Sequence, residues 1–204
     1  MLKTMLHIEP RIDNPIAVNR GSRKWSPAEL FARLLWYLVS PLFRFSPRPF
    51  WGWRRFLLRL FGASVGKQVH IHPSAKVFIP WNLTIGDWSS IGFDCLIYNL
   101  GRLDIGERVT ISQRAHLCGG THDYRDMSLP LVKSEIRIGD DAWICADAFV
   151  GPDIEIGEGS IVAARSVVTR SVGSWQIFGG HPAQFIKERP KPAKDQDRFV
   201  NLAK

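Results

Sequence analysis

His122 is the residue whose type and position in this sequence could do chemistry. It ends the string LCGGTH (117–122), and an insertion of fifteen residues follows it as a loop over 123–137. A histidine can remove a proton from a hydroxyl near neutral pH, and long loops in compact domains are usually functional. The sequence therefore predicts that His122 is a general base, with an exposed loop histidine that has no chemical task as the alternative.

The three cysteines are weaker candidates for chemistry. Cys95, Cys118 and Cys145 lack CxxC spacing, which argues against a disulfide framework or a zinc ribbon. Each occupies a small-residue position of a six-residue repeat, so packing explains all three. A reducing compartment, the cytoplasm, is the expected location.

The elements that must position His122 follow a period of six residues. Aliphatic anchors recur at strict six-residue intervals over 138–168, and a small residue follows each of them. The same spacing continues backwards, in groups of three that start at 65, 85, 105, 138 and 156. The anchors are Val65, Ile71, Val77, Ile85, Ile91, Ile97, Ile105, Ile111, Leu117, Ile138, Ile144, Val150, Ile156, Val162 and Val168.

This period fits neither an α-helix nor an alternating strand, but it does fit a triangular parallel β-helix in which each hexapeptide forms one side. One inward anchor per side would stack on the anchor of the next coil, about 4.8 Å away. The predicted fold is therefore mainly β, a left-handed parallel β-helix whose five groups of anchors give five coils. The hand is taken from the repeat type.

What orients the His122 imidazole stays open at this level. Counting positions along the repeat places Glu155 one coil away from His122. Asp123 and Glu135 compete with it for the role. A backbone carbonyl could also accept the ring N–H.

Four stretches are specific enough to compare with known families. They are FGASVGKQVHIHPSAKVFIPWNLTIGD (61–87), IYNLGRLDIGERVTISQRAHLCGGTHDYRD (97–126), IRIGDDAWICADAFVGPDIEIGEGSIVAARSVVTRSV (136–172) and FGGHPAQFIKER (178–189). On these strings the chain resembles the hexapeptide-repeat O-acetyltransferases, and within them the colanic acid biosynthesis acetyltransferases. The similarity reaches back to about Trp25.

The resemblance implies a homotrimer that transfers acetyl from acetyl-CoA to a saccharide hydroxyl in exopolysaccharide or surface-glycan biosynthesis. The three active sites of such a trimer lie in clefts between neighbouring prisms, and no metal is expected. His122 matches the family's general base. By the same resemblance, substrate contacts are assigned to Asp94, Asn99, Asp123 and Trp143, and acetyl-CoA contacts to Trp143, Ala146, Ala164, Thr169, Arg170 and Lys187.

Two other functions stay open on the sequence. Some proteins with this prism are zinc hydratases, in which three histidines from neighbouring chains hold one metal. His116 and His122 are six residues apart, a spacing that differs from the hydratase pattern. A non-catalytic scaffold that keeps the prism without turnover is the other alternative.

The sequence divides into four segments. They are a mobile N-terminal arm (1–24), a basic, aromatic helical segment (25–62), the β-helix domain (63–173) and a C-terminal extension (174–204). In the second segment, Ser26 and Glu29 form a capping signal for a helix that should end near Pro41. A second candidate helix, from 51 to 61, is closed by Gly62.

The charge of the chain is concentrated at its start. Residues 1–64 hold eleven Lys/Arg against three Asp/Glu, whereas residues 65–204 hold sixteen of each. A nucleic-acid partner is excluded, because the balanced prism has no basic stripe and no nucleic-acid-binding motif occurs. No apolar run is long enough to span a bilayer.

The helical segment has two interpretations. As a cap, it covers the open first coil of the prism. As a peripheral element at the inner face of the membrane, it settles among lipid headgroups. The residues assigned to the second role are Trp36, Trp51, Trp53, Arg44, Arg48, Arg54 and Arg55.

Overall fold

The computed structural model describes residues 14–192; residues 1–13 and 193–204, which include part of the predicted C-terminal extension, lie outside the described part. Three helices come first: α1 (Pro15–Gly21), α2 (Pro27–Arg44) and α3 (Trp51–Leu60). α2 begins with the predicted capping box, in which Ser26 and Glu29 each accept the other's backbone N–H. It continues past Pro41 for three more residues.

Short strands make up the rest of the described chain. They are β1 (Ser64–Val65), β2 (His70–Ile71), β3 (Lys76–Val77), β4 (Leu83–Ile85), β5 (Ser90–Ile91), β6 (Leu96–Tyr98), β7 (Leu103–Ile105), β8 (Thr110–Ile111), β9 (His116–Cys118), β10 (Gly120–His122), β11 (Leu131–Lys133), β12 (Ile136–Ile138), β13 (Trp143–Ile144), β14 (Phe149–Val150), β15 (Ile154–Ile156), β16 (Ile161–Val162), β17 (Val167–Val168), β18 (Gln176–Gly180) and β19 (Ala183–Glu188).

Three parallel sheets form the three faces of a prism. Face A has the order β1-β4-β7-β12-β15, face B has β2-β5-β8-β13-β16-β18, and face C has β3-β6-β9-β14-β17. Each strand pairs with the strand one coil further on, with anchor opposite anchor, as in Val65 with Ile85. The predicted mainly β, parallel β-helix is confirmed.

All fifteen anchors are buried in one hydrophobic cluster that runs along the prism axis. Burial of each such side chain stabilises the fold by about 1.5–3 kcal/mol relative to exposure. The coil also extends beyond the five predicted groups. Val172 bridges to Ile156 on face A, and β18 pairs with β16 on face B, so a partial sixth coil follows.

Small residues follow the anchors because successive coils approach closely there. A Cβ added to Gly86 would lie 2.6 Å from the backbone nitrogen of Glu107 in the next coil. At Gly139 it would lie 2.6 Å from the nitrogen of Glu158. Neither position has space for a larger side chain, which is the physical reason for the pattern seen in the sequence.

Helices α2 and α3 cover the first coil and bind its open strand edge. Four side chains donate hydrogen bonds to carbonyls of that coil, and all three faces receive at least one. The bonds run from Arg59 Nε to Val65 (2.9 Å), from Arg55 Nη1 to Val69 (2.9 Å), from Arg54 Nε to Ile71 (2.6 Å) and from Trp36 Nε1 to Val77 (2.8 Å). Carbonyls of the first coil, which have no further coil to pair with, thereby receive hydrogen-bond donors.

This arrangement corrects part of the lipid-headgroup assignment. Arg54 and Trp36 are buried, and Arg55 is bound to a strand carbonyl. The bonds of these three side chains run to the first coil, so they belong to the cap. Arg44 and Arg48 remain exposed.

Both ends of the described chain contain more regular structure than the sequence predicts. α1 lies in the assigned mobile arm, and its N-cap Asn14 accepts the N–H groups of Ile16 and Ala17. In the C-terminal extension, β18 and β19 form an antiparallel hairpin at the far end of the prism. No helix within residues 14–192 is both long and apolar enough to cross a membrane.

Candidate active site

The antiparallel hairpin of β10 and β11 carries His122 away from the prism. It begins earlier than predicted: Gly119 still bonds to the coil through Tyr98, Gly120 starts β10, and β12 resumes the coil at Ile136. The fifteen inserted residues are therefore 120–134 instead of 123–137. The glycine pair allows this exit, because a Cβ on Gly119 would lie 2.9 Å from the Ser134 carbonyl oxygen.

The hairpin fixes the protonation pattern of the exposed His122 ring. Nδ1 lies 2.6 Å from the backbone carbonyl oxygen of Leu129, across the same hairpin. Because a carbonyl oxygen only accepts hydrogen bonds, Nδ1 carries the proton in the neutral ring. Nε2 then holds a free lone pair directed away from that bond, as a proton acceptor requires.

Each of the three carboxylates that the sequence offered as orienters lies beside an arginine. Arg125 holds Asp123 through its guanidinium at 2.9 Å, and this bond lowers the pKa of the Asp123 carboxyl. Glu135 binds Arg137 at 2.9 Å, and Glu155 is the register partner of Arg137 on face A. Counting along the repeat misplaced Glu155 because the chain leaves the coil before His122.

Sequence reasoning missed two contacts between the N-terminal segment and the hairpin. Asn19 of α1 donates its side-chain N–H to the Leu129 carbonyl at 2.7 Å, the same oxygen that His122 binds. Trp25 lies between two cations, with Lys133 of β11 at 3.6 Å and Arg33 of α2 at 4.2 Å from the ring centroid. These contacts hold the hairpin against the helices, and nothing in the local sequence pattern signals them.

A groove of about 500 Å³ lies along the first coils of face B. Trp51, His70, His72 and Phe93 supply aromatic walls, and Ser90, Thr110 and Ser112 supply hydroxyl groups. Trp143 continues the groove one coil further on, where its Nε1–H donates to Ser112 Oγ at 2.9 Å. Trp143 and Asp94 are both exposed, and Asp94 lies at the corner between faces B and C.

The residues assigned to acetyl-CoA divide between two places on one chain. Ala146 and Ala164 lie at the corner between faces B and C, in neighbouring coils, since the Ala146 carbonyl accepts the Arg165 N–H at 2.9 Å. Lys187 is exposed on β19, which extends face B. Thr169 and Arg170 follow β17 at the corner between faces C and A, where the His122 hairpin also leaves the prism.

Asn99 is wrong as a substrate contact. Its side chain is buried, and both ends of the amide bind one backbone residue. The Ile79 N–H donates to Oδ1 at 3.1 Å, and Nδ2 donates to the Ile79 carbonyl at 2.6 Å. Asn99 thus replaces a missing ladder bond between coils, in a buried position that is closed to a ligand.

His116, His70 and Cys95, which lie outside the hairpin, are packed against neighbours. His116 lies edge-on to Phe149 at 5.1 Å, its Nε2 is buried without a partner, and burial lowers its pKa. His70 stacks on Trp51 at 4.6 Å. Burial raises the pKa of Cys95 to about 11. Within residues 14–192, no group of three or more potential ligands that could hold a metal ion occurs.

Comparison with known sequences identifies the family. The model described as Bacterial transferase hexapeptide (six repeats) matches residues 135–170. The "Putative colanic acid biosynthesis acetyltransferase WcaF" of Escherichia coli (strain K12) is 42% identical over 157 residues, which cover 77% of this chain and 86% of that protein. The chain belongs to the hexapeptide-repeat acetyltransferase family. The predicted resemblance and the acetyltransferase class are thereby confirmed.

Solved structures of hexapeptide-repeat acetyltransferases share the fold. A Vibrio cholerae O1 acetyltransferase complexed with acetyl coenzyme A superimposes with a TM-score of 0.74 at 24% identity, over 81% of this chain and 91% of that one. A galactoside acetyltransferase in complex with coenzyme A superimposes with a TM-score of 0.76 at 22% identity, over 86% and 89% of the two chains. At these identities the likeness shows the fold alone.

Proposed function

We propose that this acetyltransferase uses acetyl-CoA to acetylate a saccharide hydroxyl in exopolysaccharide or surface-glycan biosynthesis, with His122 as the general base. The observation that carries the proposal is the bond from His122 Nδ1 to the Leu129 carbonyl, which leaves Nε2 as the proton acceptor. Acetyl-CoA supplies an acyl group activated as a thioester. His122 Nε2 removes the proton from the acceptor hydroxyl as its oxygen attacks, and returns a proton to the departing thiolate.

The face B groove supports a saccharide as the acceptor. Aromatic rings such as Trp51 and Phe93 can stack against the apolar faces of a sugar, while Ser90, Thr110 and Ser112 can bind its hydroxyls. The relatives are in line with such an acceptor, since one is named for colanic acid biosynthesis and another is a galactoside acetyltransferase. The cations Arg170 and Lys187 suit the phosphates of acetyl-CoA.

The positions of these groups favour a site shared between copies of the chain in a homotrimer. The His122 hairpin leaves at the corner between faces C and A, whereas Trp143 lies on face B, opposite that corner. One prism therefore separates the base from the aromatic groove. A neighbouring copy that places its corner against face B would bring His122 to Trp143.

An acceptor screen tests the activity. The purified chain is expected to release CoA from acetyl-CoA faster when a suitable mono- or oligosaccharide is present, with the product heavier by one acetyl group in mass spectrometry. Turnover should survive a metal chelator, since no step uses a metal. Binding of acetyl-CoA with no transfer to any saccharide would favour a scaffold, and loss of activity with the chelator would favour a zinc enzyme.

Mixed oligomers test the shared site. His122→Asn and Trp143→Ala chains, each nearly inactive alone, are co-expressed with different tags and purified as mixed assemblies. In a trimer that contains both kinds of chain, one of the three sites joins an intact His122 to an intact Trp143, so about a third of wild-type turnover should return. No recovery in verified mixed assemblies would place the whole site on one chain.

A further inference from the structure

The outward side of α2 is an apolar surface without a charge. Leu34 is 54% exposed and Leu38 62% exposed, although both belong to a helix of 18 residues at the surface. The charged residues of α2 lie elsewhere: Glu29 caps the first turn, Arg33 stacks on Trp25, and Arg44 is the last residue. The exposed apolar residues of this side are Leu30, Phe31, Leu34, Leu35, Tyr37, Leu38 and Leu42.

A second apolar surface continues from the end of α2 onto α3. A groove between the two helices is lined mainly by Pro41, Leu42, Phe45, Phe50, Trp53 and Phe56. Phe45 is 87% exposed, and the Trp53 Nε1–H donates to the Leu42 carbonyl at 3.0 Å, which fixes its ring in the wall. The outward side of α2 and this groove together are called the apolar platform.

The charges around the apolar platform have one sign. Residues 14–64 contain nine Lys/Arg and a single carboxylate, Glu29. Arg54, Arg55 and Arg59 are bound to the first coil, whereas Arg44 and Arg48 are exposed and adjoin the groove residues Phe45 and Pro47 in the sequence. No ion pair joins either of these two to a carboxylate within the part of the chain that the structure describes.

The combination of apolar surface and cationic rim favours one occupant. Contiguous exposed apolar patches of this kind mark interaction surfaces. A second copy seated on the same face would bring the cations of the two rims together without an acidic partner. An anionic membrane surface offers phosphates to the rim and acyl chains to the leucine and phenylalanine side chains.

We propose that the apolar platform docks on an anionic membrane surface. α2 lies along the interface with its leucines in the acyl boundary, and Arg44 and Arg48 bind headgroup phosphates. Arg48 and Trp51 also line the face B groove, so the groove opens beside the docked surface. This geometry suits an acceptor carried on a lipid, a consequence that rests on the proposed function, whereas the docking itself does not.

Co-sedimentation with vesicles tests the docking. The full chain is expected to sediment with vesicles of phosphatidylethanolamine and phosphatidylglycerol, to bind less as salt increases, and to bind phosphatidylcholine vesicles weakly. The double variant Leu34→Glu and Leu38→Glu should reduce binding about 100-fold or more, because two leucines leave the interface and two anions enter it. Both side chains are exposed, so folding should be unaffected.

A matched control distinguishes loss of the apolar platform from the effect of the added negative charge. Phe185 and Ile186 are 50% and 56% exposed on β19, at the opposite end of the prism. The double variant Phe185→Glu and Ile186→Glu changes the net charge equally and should sediment like the wild type. The Leu34/Leu38 variant should keep its CoA-release rate on a soluble saccharide, which distinguishes failure of docking from failure of the proposed activity.

Three outcomes would overturn the docking. The first is a wild-type chain that stays in the supernatant with anionic vesicles, and the second is a Leu34/Leu38 variant that binds them as the wild type does. The third is a wild-type chain that does not bind vesicles, together with a Leu34/Leu38 variant whose molar mass by light scattering is lower than that of the wild type. That last result would assign the apolar platform to contacts between copies of the chain.

Discussion

Replacing His122 with Asn is expected to reduce turnover by about 10² or more, the range for loss of a general base. Asparagine keeps an N–H that can bind the Leu129 carbonyl, so the hairpin should stay in place. It has no basic lone pair, so the acceptor hydroxyl keeps its proton. The measurement is kcat from CoA release, with acetyl-CoA binding by calorimetry expected to be unchanged.

The assignment of the proton acceptor has its own control. Met127 lies exposed on the same hairpin, and Met127→Ala should leave kcat close to that of the wild type. Nitrogen NMR of the ring should show the neutral tautomer with its proton on Nδ1.

The variants Glu135→Gln and Glu155→Gln should also have little effect on kcat, because both carboxylates lie beside Arg137. Unchanged turnover in His122→Asn would remove this residue from the mechanism.

The prism was predictable because the residues that determine each of its sides lie within six consecutive positions. Each anchor, such as Ile138 or Ile144, must point inward, and the next residue must be small where coils touch, so six residues of sequence contain the rule for one side. Repetition then supplies the register, since anchors in successive groups can stack in only one way. The position of His122 beside the insertion was predictable for the same reason, because an interruption of a regular pattern is visible in the sequence.

The sequence left a backbone carbonyl open as the partner of His122, but which carbonyl it is was not predictable, because distant segments create the site. The Leu129 carbonyl accepts a bond from His122 only once the hairpin has closed, and Asn19 reaches the same oxygen across 110 residues of sequence. A backbone acceptor has no signature in the side-chain sequence. The three carboxylates that the sequence also offered are attractive by charge alone. Asp123 and Glu135 bind arginines, and Glu155 lies beside Arg137.

The composition of the helical segment suggested the wrong role for Arg54, because its partner in the first coil also lies in a different segment. Arginines beside tryptophans are typical of a membrane surface, and Arg54 beside Trp51 fits that pattern. The open first coil, however, presents unpaired carbonyls, and donors from another segment satisfy several of them. Arg54 therefore points inward and binds one of these carbonyls, while apolar side chains such as Leu38 remain exposed.

Arg54→Met is therefore expected to destabilise the fold more than any surface change in the same segment. The buried guanidinium donates to the carbonyls of Ile71 (2.6 Å), Pro47 (2.9 Å) and Arg48 (2.5 Å). Methionine fills similar space but leaves these acceptors without donors, at a cost of about 3–5 kcal/mol in the free energy of unfolding. Urea unfolding at one fixed chain concentration measures it.

The exposed Arg44 provides the comparison, since Arg44→Met removes the same charge from the same segment without a buried bond. It should change the free energy of unfolding by less than about 0.5 kcal/mol. If Arg54→Met changed it as little, the carbonyls of the first coil would have another source of donors, such as water. The helices would then cover the prism by apolar packing alone, through Trp36, Phe43, Leu57 and Leu58, and the arginine cap would not be what closes the first coil.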